Sequence, residues 1–283
     1  MGEALAPASA LCSGVTHFVN GLVARRSDGV TAALHAQLAG TAVAVVAALA
    51  SPSGGATAGD YWSGALSGTG TGVGVAFLYR AMAQGQMSVV VPVSDVGAVA
   101  LPVLVGVALL GERPAAVAWA GIAVAVPALW LVAQAAGPGT DRHSAGPVTA
   151  GVPAALAASV GFGVQFLAMA RVGADGGLWP VVVSRVVSVV VIAVVLALYR
   201  SPVTLPGRLA AVAGAGGAVG TVAVLLYLAA TRHQLMAVAT VLSALYPAIP
   251  VLLALAFLHE RLTRRQTAGL VCAAAAIALL ALR

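Results

Sequence analysis

Apolar segments about as long as a bilayer is thick follow one another along almost the whole chain, parted by short stretches of Arg, Gly, Pro and Ser. A hydrocarbon core of about 30 Å takes a helix of about 20 apolar residues. Lipid offers no partner to a free backbone amide, so each such segment has to be helical. Only 8% of the 283 residues are charged and 61% are hydrophobic, with a mean hydropathy of +1.03. A soluble domain averages about 25% charge, and in water a chain of this length would leave a large apolar area exposed. The sequence is that of an integral membrane protein.

Cutting at charges and at Gly/Pro/Ser clusters predicts ten spans: 4–23, 30–50, 63–83, 88–110, 115–134, 148–170, 179–198, 209–230, 236–258 and 266–282. The stretch QAAGPGTDRHSAGP, residues 134–147, is the one long polar connection and lies mid-chain. It divides the sequence into a first five-helix unit, 1–137, a linker, 138–147, and a second unit, 148–283. The two units share a register of 148 residues. It carries Tyr79 to Tyr227, Gln86 to Gln234, Pro102 to Pro250, and Glu112-Arg113 to Glu260-Arg261. Five helices is an odd number, so the second unit must enter the bilayer from the other side. The expected fold is all-α: ten transmembrane helices in two inverted five-helix repeats. Transporters commonly have this architecture, with the substrate site near the midplane between repeats.

A net charge of +6 does not indicate nucleic acid. All fourteen basic residues are arginine, standing singly or in pairs between apolar runs, with no basic stripe and no interleaved aromatics. They read as interface anchors. Cys12 and Cys272 lie in apolar segments and behave as small core residues. The segment MGEALAPASALCSG has no basic start and runs on into a full span, so it is read as a retained first helix. There is no Gly-x-Ser-x-Gly elbow, no His-Glu-x-x-His and no His/Cys cluster at metal spacing, so neither an enzyme nor a metal or cofactor protein is expected.

The glycine run GTGTGVG, 68–74, looks like a nucleotide loop but lies inside a span. Gly68/Gly72 and their counterparts Gly216/Gly220 have the small-xxx-small spacing that lets membrane helices approach closely. Pro92 and Pro102 fall in span four, Pro247 and Pro250 in span nine. Proline frees a carbonyl that lipid cannot satisfy, so interrupted segments at matching places in two halves point to a cavity. The Glu-Arg pairs follow spans four and nine. They are read first as helix-end charges at the interface, and alternatively as a gate whose ion pairs open and close.

Polar residues inside spans supply the candidate site. A charge at the centre of a membrane helix costs at least about 2.5–3.5 kcal/mol, so it should face a partner or a cavity. His17, Asn20, Gln37, Asp95, Gln165 and Arg185 lie within spans, and the repeat carries Asp95 onto Ser243. Depth along alternating spans predicts two tiers, His17/Gln37/Asp95 and Gln165/Arg185/Ser243, with Asp95 and Arg185 not paired. A level His17/Asp95 pair is suited to a coupling proton. Equally open is the reading of Asp95 and His17 as groups that satisfy a kinked backbone.

The segments ALLGERPAAVAWAG, FLHERLTRRQTAGLV and MSVVVPVSDVGAVALPVLVGVALLGERP resemble the helix-four-to-five region of the EamA family in the drug/metabolite transporter superfamily. The second copy carries His259 where the family pattern has glycine. The resemblance implies a ten-helix secondary transporter of the plasma membrane with a central cavity, exporting small metabolites or drug-like amphipathic solutes. It implies both termini in the cytoplasm. The arginines point the other way: that orientation puts Arg113, Arg171, Arg232 and Arg283 inside and nine of the others outside. Expected partners are the lipid bilayer, a small-molecule substrate and a coupling proton, with a homodimer left open. The alternative is a membrane scaffold or regulatory protein that keeps the fold and transports nothing.

Overall fold

The computed structural model of the chain describes residues 4–52, 54–110, 116–133, 150–233, 246–260 and 263–281. Ser243, Gln234, Glu112, Arg113, Arg261 and the 138–147 linker lie outside these residues. Among the described residues there are ten α-helices: α1 (Leu5–Arg26), α2 (Gly29–Ala50), α3 (Ala58–Gln84), α4 (Met87–Leu110), α5 (Ala116–Ala133), α6 (Val152–Met169), α7 (Trp179–Tyr199), α8 (Gly207–His233), α9 (Ala248–Phe257) and α10 (Arg264–Ala281). Among the described residues, four segments are long and apolar enough by themselves to cross a membrane: Gly29–Ala50, Val152–Met169, Trp179–Tyr199 and Gly207–Tyr227.

Helix ends follow local chemistry. Asp28 caps α2 by accepting the Thr31 amide at 2.9 Å. Thr57 and Asp60 form a capping box at the start of α3, each side chain bonded to the other's backbone amide. Asp60 also accepts the Gly173 amide at 2.7 Å, which ties the α2–α3 connection to the α6–α7 connection. The three bonds that Asp60 accepts, from the Gly173 amide first and then from the Thr57 amide and hydroxyl, hold its carboxyl below the ordinary range. His259 has φ 53, a left-handed conformation that favours glycine.

Packing is close because small residues line the contacts. α3 packs along α6 and α7, α8 along α1 and α2, α4 against α6, and α5 against α10. A Cβ on Gly68 would strike the Ser184 carbonyl, and one on Gly72 would meet Val191 and the Ser188 carbonyl. A Cβ on Gly216 would strike the Asn20 amide, and one on Gly220 the Thr16 side chain. The main core gathers residues of α1 to α4 and α6 to α9, with Leu78, Met82 and Met87 fully enclosed. A small second core joins Val96, Ala128, Ala273 and Ala276 of α4, α5 and α10.

The outer surface is aliphatic. On α7, Val186, Val190, Val194 and Leu198 recur every four residues and are 47%, 57%, 53% and 76% exposed. Ser184 and Ser188 of the same helix are buried against α3. This inverts the water-soluble pattern, and lipid is the solvent that such a stripe requires.

Pro92 is buried, and α4 continues through both Pro92 and Pro102. The Ser94 and Ser159 hydroxyls donate to the Val91 and Val93 carbonyls beside Pro92, at 2.8 and 3.0 Å. Pro247 instead stands at the N-cap of α9, with buried Pro250 in its first turn, where a missing amide hydrogen costs nothing.

Candidate functional site

Six elements bring polar and aromatic side chains to one interior row. α1 contributes His17 and Asn20, three residues apart and therefore on one helix face. α2 contributes Gln37, α3 Tyr79, α4 Asp95 and α7 Arg185, and Tyr246 stands just ahead of α9. Asn20, Gln37, Tyr79 and Asp95 are each at most 4% exposed.

The row runs from Asp95 to Gln37. The Tyr246 hydroxyl donates to Asp95 Oδ1 at 2.7 Å. The Tyr246 ring stacks on His17, with centroids 5.4 Å apart and planes at 24°. His17 meets the Tyr79 ring edge-on at 6.5 Å. Tyr79 lies beside Asn20 without hydrogen-bond geometry, and within electrostatic reach of Arg185. Arg185 Nη1 donates to Gln37 Oε1 at 2.7 Å. A Cβ on Gly40 would strike the Thr221 hydroxyl and the Gly217 carbonyl of α8.

Several atoms in this interior are buried without a hydrogen-bond partner: His17 Nδ1, both amide atoms of Asn20, Asp95 Oδ2 and Gln165 Oε1. Orphaned polar atoms are rare in folded proteins and mark positions completed by something else. Gln165 lies on α6, its backbone packed against Gly70 of α3. Among the described residues no group of three His, Cys, Asp or Glu side chains could hold a metal ion.

The two-tier expectation is corrected at one point. Gln37 and Arg185 were assigned to different depths, yet they are hydrogen-bonded. Both side chains are long, and helix-depth counting places Cα atoms, not side-chain tips. Their helices α2 and α7 pack together, which brings the two side chains within reach of each other. His17 and Asp95 are not in direct contact either, since Tyr246 stands between them. Sequence reasoning missed Tyr246 altogether. Its signal was an aromatic with a polar tip directly ahead of Pro247, inside an apolar run. Tyr79 was noticed only as a marker of the repeat.

A second polar cluster joins distant parts of the chain at the end of α1. Glu260 Oε1 accepts Arg25 Nη2 at 2.6 Å and the Met87 amide at 3.2 Å. Glu260 Oε2 accepts the Ser88 hydroxyl at 2.6 Å and its amide at 3.1 Å. The carboxylate therefore caps α4, where the helix dipole favours negative charge. Arg25 also donates to the Met82 and Gly85 carbonyls at the end of α3. This is the one ion pair among the described residues.

Long apolar helices with a lipid-compatible exterior and an interior row of Asp, Arg, His, Gln and Tyr define a multi-pass membrane protein. The EamA-like transporter family model matches residues 149–282, so the second half of the chain is similar to that family, consistent with an EamA family member. A solved structure described only as a crystal structure of a protein is similar in fold. It has a TM-score of 0.57 and 16% identity, over 98% of this chain and 95% of the other. No curated protein matches the chain.

Proposed function

We propose that the protein is a secondary transporter that moves a small solute by alternating access, with export as its direction. The row from Asp95 through Tyr246, His17 and Tyr79 to Arg185 and Gln37 is the substrate and proton site. The observation that carries this reading is the set of partnerless polar atoms on Asn20, His17 and Asp95 at the centre of a lipid-facing bundle. A scaffold would gain nothing by keeping such atoms desolvated, whereas a transporter completes them with its cargo.

Two inverted repeats, each of five spans, are supported by reciprocal packing. α3 lies along α6 and α7, and α8, its counterpart, lies along α1 and α2. Self-paired contacts α2–α7 and α5–α10 lie where a pseudo-twofold would pass. The Glu260–Arg25–Ser88 cluster is the closed gate of one face in this reading. With the amino terminus cytoplasmic, that face is the outer one.

The test compares cells carrying the wild type, Asp95→Asn or an empty vector, with metabolites measured by mass spectrometry inside and outside. A compound that accumulates outside only with the wild type supports export and assigns Asp95 to it. If the protein reaches the membrane and Asp95→Asn leaves the exported pool unchanged, the site is not where we place it.

A further inference from the structure

Among the described residues Asp95 has no counter-ion. One oxygen is held by Tyr246, which sets the orientation of the carboxylate, and the other, Oδ2, is buried with no hydrogen-bond partner. The chain has no lysine. The one ion pair among the described residues is Arg25 with Glu260, at an end of the bundle. Arg185 is bonded to Gln37. A carboxylate taken out of water and left unpaired is strongly disfavoured, so it either holds a proton or is compensated by a cation that arrives with a ligand.

The surroundings of Oδ2 narrow what that ligand carries. Tyr246, bonded to the other carboxylate oxygen, is stacked on the His17 ring, and Tyr79 meets His17 edge-on, so aromatic rings stand at the acidic end of the row. One turn along α1, Asn20 adds an unpartnered carbonyl acceptor and an unpartnered amide donor. An anionic acceptor bordered by aromatic faces is the complement of a protonated amine. Such a group donates a charge-assisted N–H bond to the carboxylate, and its adjoining C–H groups lie on the rings. Building on the transporter reading above, the geometry points to Asp95 Oδ2, with Tyr246 and His17, as a subsite for the ammonium group of the substrate.

The test uses the full-length protein in lipid nanodiscs and three probes of matched size: 2-phenylethylammonium, 2-phenylethanol and 3-phenylpropanoate. Isothermal titration and thermal unfolding both report binding. Only the ammonium probe should bind, and Asp95→Asn should weaken it roughly tenfold to hundredfold, the loss of a charge-assisted bond. Tyr246→Phe keeps the charge, folds without a buried cavity and should weaken the same probe less. Equal binding of amine and alcohol overturns the subsite. So does binding of the carboxylate alone, of none of the three, or of the amine undiminished by Asp95→Asn. Counterflow of the labelled amine in proteoliposomes separates the two proposals. Binding that follows Asp95 without any flux supports the subsite and counts against transport. Flux of the alcohol or carboxylate with no amine binding overturns the subsite and leaves transport standing.

Discussion

The carboxylate of Glu260 lies 2.6 Å from the Arg25 guanidinium, and with 7% and 26% of their side chains exposed the two form a largely enclosed ion pair. They are 235 residues apart in sequence. Glu260 also supplies the N-terminal cap that α4 lacks in its own flanking sequence, and Arg25 satisfies the carbonyls that end α3. One pair thus fixes the α3–α4 turn against the connection before α10.

Replacing either partner should therefore destabilise more than a surface ion pair would. Glu260→Gln keeps some of the cap and should cost about 1–3 kcal/mol, the range for charge-assisted bonds. In a double-mutant cycle, Arg25→Gln and Glu260→Gln should be coupled by about 1 kcal/mol or more, measured by denaturant unfolding in mixed micelles. Strict additivity would show that the two side chains do not act together.

The Gln37–Arg185 bond predicts a different cost. Gln37→Leu preserves bulk but leaves a guanidinium nitrogen in the interior without its acceptor. We expect a loss of about 1–3 kcal/mol in unfolding free energy and a loss of flux. Flux at the wild-type rate in a stably folded Gln37→Leu protein would remove Arg185 from the site.

Close helix approach gives a test with an internal control. Gly68→Val would drive a branched side chain into the Ser184 backbone and should destabilise by about 1–3 kcal/mol or more, read as loss of a monodisperse peak. Gly207→Ala has open space around it and should be nearly neutral.

Asp60 lies just ahead of the third apolar segment, and its carboxyl is held below the ordinary range by bonds from Gly173 and Thr57. A group whose folded value is depressed stabilises above its unfolded value and loses that contribution as pH falls through the folded one. Thermal stability should thus decline below about pH 4, where free aspartate begins to titrate. Asp60→Asn should be less stable at neutral pH and show a shallower decline. Parallel pH profiles for the two proteins would contradict the assignment.

Orientation is accessible to labelling. The α7–α8 connection lies on the same face as Arg25 and Glu260, since Pro202 accepts a bond from Thr31 at the start of α2. The α2–α3 connection lies on the other, bonded to Asp175 and Gly173. With cytoplasmic termini, a cysteine at Thr204 should react with an impermeant maleimide from outside and one at Gly55 should be protected. The reverse pattern would favour the arginine distribution over the family's orientation.

The sequence alone determined that this chain is a membrane helix bundle, because apolar run length and the bilayer's demand for internal hydrogen bonds are one-dimensional constraints. It also named six of the interior polar residues that the structure describes, His17, Asn20, Gln37, Asp95, Gln165 and Arg185, since a polar residue in an apolar run is visible in any window. Glycine spacing identified Gly68, Gly72, Gly216 and Gly220 as small surfaces without saying which helices meet them. Only the tertiary structure decided partners. Tyr246 reaches Asp95 from 151 residues away, Arg185 reaches Gln37 across 148, and Glu260 caps a helix in the other half. Helix depth fixes where a Cα lies along the membrane normal, but the rotation of each helix and the reach of its side chains fix who touches whom. Those depend on packing across the whole bundle, which no local window of sequence contains.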